Sequence, residues 1–232
     1  MGSRTATATA ALALVLASAC GRAWYDPEDR GGGDAGDSSG TGDGGGGGGE
    51  SDAGVLTTGD AAADTWLSEN DRDENFGGAG VLRTADGPGA TILLRFDLAA
   101  APAGAVPRAV ILAVSTSGGR QDAGRVNIHR VFEDWSEDEA SWELRVSGQA
   151  WTRAGCGVGS RDAAARAQVS IDAPGTRYQV ALPTSVVQGW IDDPASNRGL
   201  ALVASSGSGI EIVSSESDDP AVRPTLAVEW TR

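Results

Sequence analysis

Residues 125–142 read RVNIHRVFEDWSEDEASW and contain the single histidine of the chain, five acidic residues and two tryptophans. The first part alternates with period two, so that Val126 and Ile128 share one face and His129 lies on the other. Such alternation predicts a β-strand in a sheet that is buried on one side. This stretch therefore points to a β-sheet fold.

The second half of the stretch predicts a turn that leaves the sheet. Ser136 is followed three residues later by Glu139, which is the capping-box pattern that starts a helical turn. One such turn brings Trp135 and Trp142 to roughly the same side of the chain. We therefore expect these two rings to close over the edge of a β-sandwich.

The consecutive acids Glu137, Asp138 and Glu139 raise the alternative of catalysis. The two carboxylates of a glycosidase lie about 5–10 Å apart across a cleft. Three consecutive side chains splay apart and do not face one another in this way. Since the sequence also shows no catalytic triad and no metal-ligand motif, we predict that the chain is not an enzyme.

Runs of alternating apolar residues, separated by Gly, Pro, Asp and Ser, recur through residues 60–232. Together they predict about ten short strands. The strands are expected at Ala63–Leu67, Gly80–Thr84, Thr91–Leu98, Ala109–Ser115, Arg125–Val131, Gln168–Ile171, Tyr178–Leu182, Leu200–Ala204, Ile210–Ser214 and Thr225–Trp230.

One helix is expected after the seventh of these strands. Pro183 suits a first helical turn, and an apolar face is then formed by Val186, Val187, Trp190 and Ile191. Many short strands with one embedded helix predict an all-β domain, an antiparallel β-sandwich of the jelly-roll kind, over residues 60–232. In its long central strand we expect Phe96 to point inward.

Residues 1–19 have the layout of an export signal, with Arg4 followed by an apolar stretch too short for a permanent membrane span. Cys20 then follows Ala-Ser-Ala and resembles a bacterial lipobox, in which that cysteine is acylated. Ala17 stands where the lipobox prefers leucine. Ordinary cleavage after the same small residues would instead give a secreted protein. Both alternatives predict export, the first as an outer-membrane or cell-surface lipoprotein.

Residues 20–59 are dominated by Gly, Asp and Ser, with six consecutive glycines at Gly44–Gly49. A segment of this composition buries no core and is expected to be disordered. We interpret it as a flexible tether that joins the lipid-anchored Cys20 at the membrane to the folded domain.

The net charge of −14 argues against nucleic acid or an anionic membrane surface as a ligand of the domain. All 18 basic residues are arginines. Cys156 is the second of two cysteines and has no partner if Cys20 is acylated, so the fold is not built on disulfides. A nucleophilic role for Cys156 is not expected, because the flanking sequence is typical of a glycine-rich loop.

The stretch NDRDENFG at residues 70–77 begins like a calcium-binding loop. Asp71, Asp73 and Asn75 occupy the first, third and fifth ligand positions of an EF-hand, but Phe76 and Leu82 stand where that loop needs Gly and Glu. The EF-hand is therefore excluded. A different oxygen cage for a structural calcium stays open. Its candidate ligands are Asp71, Asp73 and Asp97, with Glu216, Asp218 and Asp219 as further hard ligands.

A sugar-binding surface needs exposed aromatic rings that stack on the sugar, and polar groups that pair with its hydroxyls. Six tryptophans lie in the domain. Trp66, Trp190 and Trp230 follow the apolar alternation and are expected in the core. The candidates for ring platforms are Trp135, Trp142 and Trp151, which lie in or beside loops. His129, Arg130 and Arg95 are the candidates for lining a groove, with a polar outer face as the simpler interpretation.

A series of eight short landmarks runs through residues 60–232 in a fixed order. The landmarks are Asp64-Thr65-Trp66-Leu67 with Asn75-Phe76-Gly77, Leu82-Arg83, Leu93–Leu98, Pro107–Leu112, Val126–Trp142, Val187–Ile191, Asn197–Leu200, and Ser214–Glu216 with Arg223–Leu226. In this order they resemble the DNRLRE or disaggregatase-related domains, which overlap the family 96 carbohydrate-binding modules.

The resemblance implies a β-sandwich of microbial surface proteins, often joined to polysaccharide-active enzymes. It further implies polysaccharide as the partner, although this chain has no attached enzyme. We therefore expect a non-catalytic surface lipoprotein that binds polysaccharide through a single domain. The alternative is a structural or adhesive module that contacts protein or matrix without binding sugar.

Overall fold

Thirteen short strands and one α-helix make up the part of the chain that the computed structural model describes, residues 53–58, 63–85, 89–119, 122–206 and 209–232. The strands are β1 Ala53–Thr58, β2 Ala63–Ser68, β3 Val81–Thr84, β4 Ala90–Arg95, β5 Val106–Ser115, β6 Gly124–Arg130, β7 Leu144–Val146, β8 Gln149–Ala150, β9 Ala167–Ile171, β10 Arg177–Ala181, β11 Leu200–Ser206, β12 Ile210–Val213 and β13 Thr225–Thr231. The helix α1 spans Thr184–Asp192 and is followed by a 3₁₀ turn at Pro194–Ser196.

Two antiparallel sheets form the sandwich. The strand order is β1-β13-β5-β10 in the first sheet and β2-β4-β11-β6-β9 in the second. Each sheet places strands from distant parts of the chain side by side, such as β5 with β13 and β4 with β11, as expected for a jelly roll. Two small antiparallel pairs, β3 with β12 and β7 with β8, complete the described strands. The predicted all-β sandwich is therefore confirmed.

The main core lies between the two sheets, and alternation within the strands explains how it is filled. In β4, for example, Ile92 and Leu94 point inward and are fully buried in this core. On the other sheet, Leu112 and Val114 of β5 and Val228 of β13 do the same. Burial of this apolar surface is the main favourable contribution to folding.

A second core cluster covers the outer face of the five-stranded sheet. Leu93 and Ala201 point away from the main core, yet both are fully buried. They are covered by residues 131–166, the long connection between β6 and β9, which contributes Trp135, Trp151 and Cys156. This connection is therefore a packed layer of the fold.

Each of the ten predicted strands overlaps a strand of the structure, and the predicted helix is present as α1. The predicted apolar face of α1 is buried at Val186, Val187 and Trp190, whereas Ile191 is half-buried. Phe96 is 1% exposed and lies in the main core, which confirms the expected inward orientation. None of the helices in the described ranges is long and apolar enough to cross a membrane.

One correction concerns the segment predicted to be a disordered tether. Residues 53–58 of that segment form β1, which pairs with residues 226–231 of β13. The close approach of Trp230 explains this pairing, since a Cβ atom at Gly54 would lie 2.4 Å from the Trp230 ring. A glycine in a linker-like composition thus serves as a packing site for a tryptophan. The signal peptide, Cys20 and the rest of the predicted tether lie outside the described residues.

Candidate functional site

Two of the three tryptophans predicted as sugar platforms are buried. Trp135 is 2% exposed and Trp151 is 5% exposed, and both belong to the second core cluster. Their indole N–H groups donate to backbone carbonyls, that of Trp135 to Arg198 at 2.8 Å and that of Trp151 to Ser141 at 2.9 Å. The platform prediction therefore needs correction for these two rings, because neither presents a free face to a sugar.

Trp142 differs from the other two rings. It is half-buried and packs against the margin of the second core cluster. The expectation that Trp135 and Trp142 lie on the same side of the chain is met, since both contact this cluster. Only Trp142 of the three predicted platforms keeps part of its surface exposed.

His129 is 4% exposed and does not line an open groove. Its Nδ1 atom lies 3.0 Å from the carbonyl oxygen of Asp162. Burial lowers the pKa of His129, and the nearby Arg161 lowers it further. The Asp162 carboxylate is held by two hydrogen bonds from Arg166, at 2.6 and 2.7 Å. The groove prediction for His129 is therefore wrong, because residues 131–166 cover this face of the sheet.

Arg95 lies on the same covered face, at the end of β4. Its guanidinium carbon is 4.9 Å from the centre of the Trp135 ring, and its Nη1 donates to the Trp135 carbonyl at 3.1 Å. Asp134 accepts from Arg95 at 3.4 Å and from Arg198 at 3.0 Å. Both arginine side chains are about one-third exposed. Arg95 therefore secures Trp135 while it keeps part of its charge at the surface.

Arg130 lies at the end of β6, on the face opposite His129. It contacts an aromatic ring that was not among the predicted site residues. Its guanidinium carbon lies 5.2 Å from the centre of the Phe132 ring. Phe132 is 46% exposed, which makes it the most exposed aromatic side chain among the described residues. Its backbone N–H donates to Ser160 at 2.9 Å, so the ring is carried on a fixed backbone. We refer to Arg130 and Phe132 as the Arg–Phe surface.

A signal for Phe132 was present in the sequence. Val131 is 1% exposed in the second core cluster, so continued alternation places residue 132 on the face opposite that cluster, just beyond the end of β6. Since Arg130 and Phe132 are two residues apart along an extended chain, their side chains lie on the same side. The exposed Val158 lies in the segment that pairs with this strand end through Arg161.

The predicted calcium ligands do not converge. The Ser68 hydroxyl donates a hydrogen bond to the Asp71 carboxylate, which stabilises the turn that contains both residues. Asp97 accepts a hydrogen bond from the backbone N–H of Ala99. Among the acidic residues that the structure describes, the one group that converges contains neither of these nor Asp73. These three acids therefore act as turn residues, and the proposed cage needs correction.

The acids that do converge are Asp64, Glu137 and Glu216, which we call the acidic cluster. One oxygen from each carboxylate lies within 4.8 Å of the others. Asp64 is fully buried, and burial raises its pKa well above the ordinary range of an aspartate. Burial also raises the pKa of Glu137. Glu216 was among the hard ligands considered from the sequence, whereas Asp64 and Glu137 were not.

Asn75 and Gly77 fix the position of Glu137 in this cluster. The amide of Asn75 donates to the carbonyl oxygens of Glu137 at 2.6 Å and Ala140 at 2.8 Å. A Cβ atom at Gly77 would lie 2.3 Å from the Glu137 carbonyl, so only glycine allows the turn to approach. The pattern that resembled a calcium loop therefore holds a distant turn in place.

Cys156 is fully buried in the second core cluster. Burial raises the pKa of its thiol to about 12. A nucleophilic cysteine needs a lowered pKa and access to solvent, and Cys156 has neither. Its side chain packs against the outer face of the sheet.

The family model of carbohydrate-binding module family 96 matches residues 56–229. The match covers more than half of the chain and extends from β1 to β13. The chain belongs to carbohydrate-binding module family 96. This confirms the resemblance inferred from the eight landmarks, all of which lie within the matched residues. A search of curated proteins found no match to the chain.

Membership of this family directs attention to the exposed aromatic surface of the module. A sugar ring stacks on an aromatic face while charged or amide groups pair with its hydroxyls. Phe132 with Arg130 supplies both elements in one place, and Trp142 supplies a second, partly exposed ring. Trp135 and Trp151 belong to the cluster against which Trp142 packs.

Proposed function

We propose that this module binds polysaccharide without cleaving it, and that the Arg–Phe surface is the centre of its contact with the ligand. The family assignment supports carbohydrate as the ligand class. The single observation that selects the place is the 46% exposure of the Phe132 ring beside Arg130. An exposed ring beside a cation offers the stacking face and the hydrogen-bond donors that a sugar needs.

The two residues play different parts in this proposal. The open part of the Phe132 ring stacks on the apolar face of a pyranose, a contact that gains from displaced water. Arg130 donates hydrogen bonds to hydroxyl or carboxylate oxygens of the same or the neighbouring sugar. Arg130 also fixes the orientation of the ring by packing over it. The Arg–Phe surface is therefore preorganised for the ligand.

Trp142 and Arg95 form a second candidate contact. Trp142 keeps part of its ring exposed, and Arg95 keeps about one-third of its side chain in solvent. Both are held by the second core cluster and its covering connection. A chain of several sugars can engage more than one such point, and each added point raises the overall affinity.

The acidic cluster does not favour hydrolysis. Its carboxylates lie close enough for a retaining glycosidase, which needs about 5–5.5 Å between two accessible acids. Asp64, however, is fully buried and accepts a hydrogen bond from the backbone of Ser215, so it cannot contact a glycosidic bond. Glu137 is half-buried and accepts a hydrogen bond from the backbone N–H of Asp64, which leaves Glu216 as the one exposed acid of the cluster. This supports a binding role for the module.

The position of the module in the cell is part of the same proposal. The export signal at residues 1–19 and the lipobox at Cys20 support a lipoprotein at the outer membrane or cell surface. The glycine-rich segment behind Cys20 would act as the tether. A Gly-rich coil of about thirty residues would reach roughly 30 Å, which would let the module contact polymer at that distance from the membrane.

A polysaccharide array with the full protein tests this proposal, combined with a measurement of reducing-end release on every polymer that is bound. We expect retention on at least one neutral or acidic polysaccharide and no release of reducing ends. Binding to no polymer would reject the proposal. Release of reducing ends that survives in a Phe132→Ala variant would show a separate catalytic site and would also reject it.

One observation favours the alternative of a module that contacts protein or matrix. β1 is an edge strand, and Val55 on this strand is 62% exposed. Exposed apolar side chains on a free edge suit the addition of a strand from a partner. Adhesion to a protein surface that is lost in Val55→Lys and retained in Phe132→Ala would support this second function.

A further inference from the structure

The acidic cluster joins three parts of the chain that are distant in sequence. Asp64 lies in β2, Glu137 in the turn after β6, and Glu216 in the turn after β12. Asp64 is buried, Glu137 is half-buried and Glu216 is exposed, so the cluster forms a short path from the sandwich to solvent. Three carboxylates so close together repel one another unless a positive charge or a proton compensates them.

Backbone groups satisfy part of the cluster. The N–H of Ser215 donates to Oδ2 of Asp64 at 2.7 Å, and the N–H of Asp64 donates to Oε1 of Glu137 at 2.7 Å. The hydroxyl of Ser215 donates to Oε1 of Glu216 at 3.1 Å. These bonds fix the direction of each carboxylate, and they leave most of its lone pairs free.

Oδ1 of Asp64 is left without a partner. This atom is buried and has no hydrogen-bond donor among the described residues. A buried carboxylate oxygen in this situation is costly unless a proton, a donor or a cation occupies the site. None of the ion pairs in the described ranges involves these three acids, and Arg95 acts on Glu137 only through space. A proton on Asp64 would satisfy this oxygen but would leave the neighbouring charges of Glu137 and Glu216 uncompensated, whereas a cation between the three carboxylates compensates all of them.

We propose that Asp64, Glu137 and Glu216 hold a calcium ion. All three ligands offer carboxylate oxygens, which favours a hard cation over zinc or copper. Calcium accepts six to eight oxygens in flexible geometry, whereas magnesium demands a near-ideal octahedron and keeps several waters. The exposed side at Glu216 lets water complete the coordination. This site differs from the Asp71, Asp73 and Asp97 set that the sequence suggested.

The ion would act as a structural clamp. It joins the connection formed by residues 131–166 to β2 and to the turn before β13. Glu137 is 73 residues from Asp64 and 79 residues from Glu216 in the chain, and the Asp64–Glu137 hydrogen bond already spans the first of these separations. Such a clamp stabilises the native state because the unfolded chain offers no preformed site. The proposal does not depend on glycan binding, and each can fail without the other.

Calcium titration of the full protein after treatment with EDTA tests the site. At about a hundredfold excess of calcium over its Kd, we expect the melting temperature to rise by roughly 5–10 °C for a domain of this size. Terbium, as a calcium analogue, should show luminescence sensitised by tryptophan, because Trp135 is two residues from Glu137. Added calcium should quench this signal, and magnesium at the same concentration should not.

Two matched variants give the decisive comparison. Glu216→Gln removes one ligand at an exposed position, so the fold is preserved, and we expect at least a tenfold loss of calcium affinity. Asp138→Asn removes one charge from the same turn as Glu137 without touching the cluster, and it should retain the calcium response. The proposal is overturned if calcium at up to about 10 mM leaves the melting temperature unchanged. It is also overturned if calcium raises the melting temperature of Glu216→Gln as much as that of the unmodified protein.

Discussion

The backbone N–H of Asp64 donates a hydrogen bond of 2.7 Å to the carboxylate of Glu137, 73 residues further along the chain. This bond joins β2 to the turn that follows β6. The same turn carries Trp135 into the second core cluster and precedes the half-buried ring of Trp142. The connection between β6 and β9 is therefore held at its base, and it supports both proposed contact points of the module.

The burial of Trp135 predicts a large loss of stability on truncation. Trp135→Ala should lower the free energy of unfolding by about 3–5 kcal/mol, because the ring fills the second core cluster and its N–H is bonded. Phe132→Ala is the control and should change it by about 0.5 kcal/mol or less, since that ring is half in solvent. Urea unfolding of both variants checks this, and equal losses would mean that the burial of the two rings has been assigned incorrectly.

Asn75 should contribute to stability through its two hydrogen bonds to backbone carbonyls. In Asn75→Ala the carbonyls of Glu137 and Ala140 lose their donor, and we expect a loss of about 1–3 kcal/mol. Asn70→Ala is a matched control in the same turn, because Asn70 is exposed. A thermal melt of both variants distinguishes them. If the two substitutions have the same small effect, Asn75 does not hold the turn.

His129 should make stability depend on pH in the mildly acidic range. Burial lowers its pKa in the folded state below the ordinary value of 6.5, so the unfolded chain binds a proton first as pH falls. The contribution of His129 is therefore fully present above about pH 6.5 and is lost as pH decreases towards the folded pKa. The measurement is the free energy of unfolding from pH 7.5 to 5 for the unmodified protein and for His129→Gln. The difference between the two curves should narrow at low pH, and a constant difference would exclude this role of burial.

Acylation of Cys20 predicts a clear separation by fractionation. The Cys20→Ser variant should lose labelling by palmitate and should appear in the soluble fraction, because the sole attachment point for diacylglycerol is removed. Substitution of Cys156 by Ser is the control and should not affect labelling, since that thiol is buried in the fold. Equal labelling of the unmodified protein and of Cys20→Ser would exclude lipid attachment at this residue.

Local patterns in the sequence were sufficient for most of the fold. The alternation around Ile92, Ile128 and Val228 predicted strands, because a strand that faces a core on one side repeats with period two. The spacing of Val186, Val187 and Trp190 predicted α1 for the analogous reason. β1 was missed because it contains Gly54 and adjoins a linker-like composition, and because its stability comes from pairing with a strand more than 160 residues away.

The candidate site was harder to predict, because it depends on contacts between distant segments. Trp135 and Trp151 looked exposed in sequence since they lie in a connection, and only the fold shows that this connection covers a sheet. Asp64, Glu137 and Glu216 share no spacing pattern, so their convergence follows from strand order alone. The alternation rule could have indicated Phe132, because this residue follows the buried Val131 just beyond the end of β6.

Titration calorimetry with a polysaccharide retained on the array tests the central claim most directly, with Phe132→Ala and Arg130→Gln compared against Val106→Ala. Val106 is an exposed apolar residue of the other sheet, 45% exposed, and serves as the matched control. We predict that Phe132→Ala and Arg130→Gln each raise Kd by about fivefold or more, in keeping with roughly 1 kcal/mol for one aromatic or charged contact, while Val106→Ala leaves it unchanged. Unchanged Kd values for both Phe132→Ala and Arg130→Gln would contradict the assignment of the Arg–Phe surface as the binding site.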